Sequence, residues 1–89
     1  MYTPAFVEFL GTSLLLGSIA FTSSLPLIIG AFAVAVGLGS KVSGAHFNPA
    51  VTAWALLSGK IGQAKAISYM IAQLGAAVFI WVMHSFIKV

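Results

Sequence analysis

Charged side chains are almost absent from this sequence, and their scarcity constrains the fold more than any other feature. Charged residues make up 6% of the 89 positions, whereas hydrophobic residues make up 61%. A soluble domain carries about 25% charged residues, so this chain has too few to cover a water-facing surface. Disorder is excluded as well, because disordered chains combine low hydrophobicity with high charge. The sequence therefore predicts an integral, multi-pass membrane protein surrounded by the lipid bilayer.

The few polar groups also limit the chemistry that the chain can perform. It has four basic residues, all lysine, one acidic residue and no cysteine. Nucleic-acid binding needs a clustered basic face, and disulfides or thiolate metal sites need cysteine. Glu8 is the single carboxylate, so it has no acidic partner for catalysis and no second carboxylate for a metal site. We therefore expect no enzyme activity, no cofactor, no metal ion and no nucleic-acid partner.

Three apolar stretches predict helices that cross the bilayer. They cover about residues 4–21, 25–38 and 64–87. A crossing helix needs about 20 apolar residues, and the second stretch is a little short of that length. A cleaved signal peptide is the rival interpretation of the first stretch. It is disfavoured because no basic residue precedes the stretch and the acidic Glu8 lies early in it.

A fourth apolar run, residues 49–57, is too short to cross. At 1.5 Å per residue it gives roughly 13 Å of helix, under half of a hydrocarbon core of about 30 Å. It is therefore either a helix on the membrane surface or a half-helix that enters and stops midway. The run lacks the polar face of a surface helix, and Asn48 followed by Pro49 is a favourable helix start. These features favour a half-helix that follows a re-entrant loop over residues 39–48.

The sequence around that start resembles the first Asn-Pro-Ala box of the aquaporin, or major intrinsic protein, family. The box is Ser-Gly-Ala-His-Phe-Asn-Pro-Ala-Val-Thr at residues 43–52. Residues 7–12 resemble the first-helix signature of that family, and residues 71–73 with Gly75 resemble its third-helix signature. Family members are about twice as long and contain two inverted repeats. This chain matches the first repeat alone, and the second box, which an arginine follows, is absent.

The resemblance implies both a fold and a function. Residues 1–89 would form one repeat of an all-α membrane protein, with three transmembrane helices and one re-entrant half-helix, equivalent to half of an aquaporin. A half-helix reaches only the midplane, so a second one entering from the opposite face would complete the crossing. The hypothesis is that two inverted copies pair into a passive channel for water or small neutral solutes such as glycerol. By resemblance, four such pores, and so eight chains, would assemble together.

The resemblance also implies which residues form the pore. Asn48 would donate its side-chain amide hydrogens to the permeating molecule, and the loop before it would line the channel with backbone carbonyls. The residues after Asn48 would pack the two half-helices against each other. The pore residues expected on this basis are Gly44, Ala45, His46, Asn48, Pro49 and Ala50.

Two further pairs of residues are expected to support the loop and to filter solutes. Glu8 and Gln73 resemble the loop anchors of the family, and for Glu8 this role is favoured over proton transport. Ile28 and Val51 fall where the family carries its outer filter. Because this pair is aliphatic and uncharged, we expect looser discrimination than in a strict water channel.

The lysines bear on how two copies would pair. Lys41, Lys60 and Lys65 are predicted on one side of the membrane and Lys88 on the other. Positive charge favours the cytoplasm, so the uneven distribution favours one orientation and counts against a pair of inverted copies. The alternative is a non-conducting fragment or subunit that associates with another aquaporin-like half or with a full-length channel. A small lytic or scaffolding membrane protein would explain the size and hydrophobicity but not the ten-residue box.

Overall fold

The computed structural model describes residues 3–87, which fold into four α-helices. Three of these helices are long and apolar enough to cross a membrane. The fourth has nine residues and is too short. The prediction of an all-α protein with three crossing helices and one half-helix is confirmed. Lys88 lies outside the described residues. In chain order the helices are α1 (Thr3–Phe21), α2 (Leu25–Ser43), α3 (Pro49–Leu57) and α4 (Gln63–Phe86).

Helix α2 is longer than the sequence predicts, and the loop after it is correspondingly shorter. The predicted end near residue 38 is wrong, because the helix continues to Ser43 and stops where Gly44 adopts a left-handed conformation with φ of 88°. Glycine disfavours a helix interior. Here the backbone of Gly39 packs directly against the ring of Phe47, a contact that no side chain at that position would allow. The loop before α3 therefore comprises residues 44–48, not 39–48.

Helix α1 is the centre of the bundle. It packs against both α2 and α4, whereas α3 packs against α4. Within residues 3–87, α2 does not pack along α3 or α4, although its last residue, Ser43, bonds to Tyr69 of α4. The faces that meet α1 carry small residues, including Ala35 on α2 and Ala76 on α4, both of which are buried. Small residues let helix backbones approach closely in lipid, where the hydrophobic effect does not drive association.

Cross-helix contacts give the direction of each helix. Near the start of α1, Glu8 bonds to Gln73, and at its end Phe21 lies against His84, so α1 and α4 run parallel. Helix α2 follows α1 in the chain and runs in the opposite direction. It ends beside Tyr69, whose hydroxyl donates to the Ser43 carbonyl at 2.6 Å. The end of α2 and the beginning of α4 therefore lie at the same end of the bundle.

Candidate functional site

Helix α3 begins halfway along a crossing helix. Its residue Thr52 accepts a hydrogen bond at 2.9 Å from Gln73, which is close to the middle of α4, the helix from Gln63 to Phe86. Nine residues give roughly 13 Å, which is the distance back to the end of the bundle where α4 starts. The chain thus descends through the loop to mid-depth and returns through α3 to the same end.

Asn48 caps the first turn of α3 and leaves its donors free. Its backbone is extended, and its Oδ1 atom accepts from the Ala50 N–H at 2.8 Å. Because an N–H group needs an acceptor, this bond fixes which side of the amide is oxygen. The Nδ2 group therefore points away from α3. The side chain is exposed, and its hydrogens have no partner within residues 3–87.

The loop 44–48 has an unusual backbone. Gly44, Ala45 and Phe47 have φ angles of 88°, 55° and 54°, all in the left-handed region. That region costs an ordinary L-residue roughly 1–2 kcal/mol, so two of these three residues need support from their surroundings. The carbonyls of residues 44–46 belong to neither the α2 nor the α3 hydrogen-bond ladder. They are acceptors on residues that are exposed or half-buried.

The Glu8 carboxylate supplies that support from α1. It is completely buried and accepts four hydrogen bonds. Its Oε2 accepts from the Ser43 hydroxyl at 2.7 Å and from the His46 N–H at 3.0 Å. Its Oε1 accepts from the Phe47 N–H and from Gln73 Nε2, both at 2.7 Å. One side chain thereby connects the end of α2, the loop and the middle of α4 to α1.

A second set of bonds surrounds the first. The buried Gln73 amide donates to Thr52 Oγ1 as well as to Glu8, and Thr52 Oγ1 lies 2.9 Å from His46 Nδ1. The Thr52 hydroxyl has one donor hydrogen and two acceptor positions, so the tautomer of His46 decides which of the two groups donates. The His46 ring also meets the Tyr69 ring edge-on, with centroids 5.1 Å apart.

Sequence reasoning did not single out Ser43, Thr52 or Tyr69 as members of this network. Ser43 and Thr52 stand at the two ends of the ten-residue box, and that position was the available signal. Tyr69 lies four residues before Gln73, one helical turn away on the same face of α4. Its partner, Ser43, is 26 residues away in sequence, so no local pattern reveals the contact.

The structure does not bring the two filter candidates together. Ile28 is half-buried in the first turn of α2, at the end of the bundle opposite to the lysines. Val51 lies on α3 with 42% of its surface exposed. Because α2 and α3 do not pack against each other, Ile28 and Val51 of one chain do not lie side by side. A filter that contains both residues would take one from this chain and the other from a second half-channel.

The three lysines within residues 3–87 lie at one end of the bundle. Lys41 is in the last turn of α2. Lys60 and Lys65 flank the beginning of α4, where each ammonium group lies over an aromatic ring, Trp54 at 5.1 Å and Tyr69 at 5.6 Å. Within residues 3–87, no three histidine or acidic side chains come close enough to hold a metal ion. Within the described residues, neutral groups around the loop donate hydrogen bonds to the Glu8 carboxylate, whose acceptor positions are all used.

The structure combines three crossing helices with a half-helix that turns back at mid-depth and starts at an exposed amide. These features define a class of protein, namely an integral membrane protein built on a re-entrant repeat. Comparison with known sequences identifies the family. The chain belongs to the major intrinsic protein family, whose model matches residues 10–88. Members of this family are channels, which confirms the expectation that the chain is not an enzyme.

Individual relatives cover different parts of the chain. Glycerol uptake facilitator protein-like 6 of Lactiplantibacillus plantarum is 39% identical over 91% of this chain and 42% of its own length. Aquaporin-5 of the pig, Sus scrofa, is 35% identical over 82% of this chain and 32% of its own length. A probable aquaporin of rice, Oryza sativa, is 51% identical over 46% of this chain and 16% of its own length. No solved structure gave a significant match. The chain spans less than half the length of these relatives.

Proposed function

We propose that this chain forms a passive membrane channel for water and small neutral solutes such as glycerol. The observation that carries the proposal is the start of α3 at mid-depth, with the Asn48 amide exposed and its donors free. Lipid cannot satisfy such groups, and irregular backbone at membrane depth is tolerated only where it is buried in protein or lines a water-filled cavity. The exposed start of α3 is therefore suited to face a wet passage.

Conduction follows from donors and acceptors arranged along that passage. Asn48 donates to the permeating molecule, while the carbonyls of Gly44, Ala45 and His46 accept from it. A neutral solute exchanges its water partners for these groups and moves on. The positive end of the α3 dipole, together with the oriented amide, opposes protons and cations. No covalent step is needed, and Glu8 and Gln73 act by holding the loop in shape.

The passage is completed by a second half that enters from the opposite face. A half-helix of roughly 13 Å ends at the midplane, so two of them arranged tip to tip span the core of about 30 Å. In this proposal the second half is an inverted copy of the same chain, with Pro49 and Ala50 of each copy packing at the tip contact. Four such pores, and so eight chains, form the full assembly.

The filter of such a pair would be aliphatic. Ile28 of one copy and Val51 of the other would line its outer part, and neither residue offers a donor, an acceptor or a charge. An apolar ring accommodates the carbon backbone of a polyol, which supports glycerol as a permeant. Two relatives that cover most of the chain are named glycerol uptake facilitators, one from Lactiplantibacillus plantarum and one from Buchnera aphidicola.

A second candidate function is a subunit that conducts only with a different partner half. The lysines favour it, because Lys41, Lys60 and Lys65 all lie at one end of the bundle and such a bias favours a single orientation in the membrane. Under this alternative the chain alone conducts nothing, and co-reconstitution with an oppositely oriented half restores flux.

The test is stopped-flow light scattering on proteoliposomes containing the full chain alone. We expect water and glycerol permeabilities above those of empty vesicles. Asn48→Ser is the informative variant, because serine is an equally good helix cap but has no amide donors to direct into the passage. It should fold like the wild type and lose most of its glycerol flux. Wild-type flux equal to that of empty vesicles would reject the channel of inverted copies.

A further inference from the structure

We propose that Phe47 is a positioning residue: its ring, held in a slot between Gly11 of α1 and Gly39 of α2, sets the direction in which Asn48 presents its amide. The inference rests on the proposed function and deepens it, because it identifies which contact orients the permeant-binding group. It follows from the packing of the ring, from the hydrogen bond at its backbone and from the bonding of Asn48.

The slot is closed on both sides by helix backbone. The Phe47 ring is 2% exposed. A Cβ atom placed on Gly11 would lie 2.1 Å from the ring Cε1 and 2.4 Å from Cζ, and one on Gly39 would lie 2.9 Å from Cζ. Neither position accepts a side chain while the ring stays in place. In contrast, a Cβ on Gly17 of the same helix would make an ordinary contact at 3.6 Å with Ile80.

Phe47 is held twice, once by its ring and once by its backbone. Its N–H donates to Glu8 Oε1 at 2.7 Å, and its φ angle of 54° lies in the left-handed region. A phenylalanine adopts that conformation only where its surroundings impose it. A backbone bond and a ring contact on the same residue together fix its position and its rotation.

The Asn48 side chain has no comparable hydrogen bond to α1 or α2 within the described residues. Within residues 3–87 its side chain bonds to Ala50 alone, which is in the same helix. Helix α3 packs against α4 and does not contact α2. Thr52 links α3 to α1 through Gln73 and Glu8, and this link sets the position of α3. Phe47 joins Asn48 directly to the slot between α1 and α2, so its ring sets the direction of the amide relative to these two helices.

A size-exchange experiment tests this contact in the full chain in lipid bilayers. Gly11→Ala introduces the Cβ that collides with the ring, at 2.1 Å from Cε1, 2.4 Å from Cζ and 2.6 Å from Cδ1. Phe47→Leu removes Cε1 and Cζ and replaces the rigid ring with a smaller side chain whose Cδ atoms can rotate away from the added Cβ. Asn48 is the only asparagine in the sequence, so labelling with ¹⁵N-asparagine gives a single side-chain amide signal in NMR spectra. We expect Gly11→Ala to shift that signal and the double variant to return it towards the wild-type position. Gly17→Ala, the matched control, should leave it in place.

The ratio of glycerol to water permeability is the second readout. If Phe47 has only a structural role, Gly11→Ala lowers the number of folded channels and leaves this ratio unchanged. If Phe47 positions Asn48, Gly11→Ala changes the ratio. We expect Gly11→Ala to alter the ratio and the double variant to restore it. The inference is overturned if Gly11→Ala behaves like Gly17→Ala, or if Phe47→Leu does not restore the signal. If the wild type conducts nothing, the proposed function fails, and the amide signal still decides the role of Phe47.

Discussion

At the scale of single residues, Glu8 has the greatest influence on the geometry of the loop. It receives donors from α2, from the loop and from α4. An ionised carboxylate has about four acceptor positions, so the four observed bonds saturate it. The saturation therefore supports a structural role over proton transport, and it explains how an acid is tolerated within a crossing helix.

Glu8→Gln tests this saturation. The amide replaces one acceptor oxygen with an NH₂ group that faces existing donors, and at least one buried donor loses its partner. A buried unsatisfied donor costs about 1–3 kcal/mol, and we expect a loss of that size in the free energy of unfolding. Titration of micelle-bound protein with SDS, followed by circular dichroism, measures it. Ser23→Lys, at an exposed site between α1 and α2, raises the net charge by the same one unit and is the control for the change in charge. A Glu8→Gln protein as stable as the wild type would contradict the role given to Glu8.

The sequence predicted some members of this network and could not predict others. Glu8 and Gln73 lie within segments that resemble the helix signatures of the family, so both are predicted from the sequence as supports of the loop. Ser43 and Tyr69 are not predicted, because their bond joins residues 26 positions apart. Hydrophobic periodicity and helix caps report on neighbours within a few residues, and they contain no information about a contact of this range.

At the scale of helices, two glycine-containing segments show what decides a helix end. Helix α3 ends at Leu57, as the apolar run 49–57 predicts, two residues before Gly59. The cause there is local, because Gly59 adopts a left-handed φ of 76°. The end of α2 predicted near residue 38 ignores Gly39, which lies inside the helix and packs against the Phe47 ring. Local propensity cannot report a tertiary contact of this kind.

Gly59→Ala should therefore destabilise the turn between α3 and α4. No atom would lie within 4 Å of the added Cβ, so the expected effect comes from backbone strain alone. We expect a loss of roughly 1–2 kcal/mol in the free energy of unfolding, measured by the same SDS titration. Gly37→Ala is the matched control, because its Cβ also meets open space but its backbone is helical. Equal effects at the two glycines would mean that the left-handed turn is not what ends α3.

At the scale of the whole molecule, one repeat leaves the half-helix partly uncovered. Helix α3 packs against α4 but does not contact α2. Several of its side chains remain exposed, including Val51, Trp54 and Leu57. A half-helix that starts at membrane depth needs protein or water around its polar end. The repeat is therefore suited to pair with a second half, and the tip of α3 is the place where the proposed inverted copy would meet it.

Disulfide cross-linking tests directly whether the α3 tips of two inverted copies meet, because the sequence has no cysteine to interfere. In an inverted pair, residue 50 of each copy lies at the tip contact, whereas residue 57 lies roughly 10 Å further along α3 and away from the partner. A disulfide needs Cα atoms about 4.4–6.8 Å apart. Oxidised vesicles containing Ala50→Cys should therefore yield a linked dimer on non-reducing gels, and those containing Leu57→Cys should not. Equal linking at both positions would show that copies meet in another arrangement. Glycerol flux from the Ala50→Cys protein without any linked dimer would show that two copies do not form the pore tip to tip.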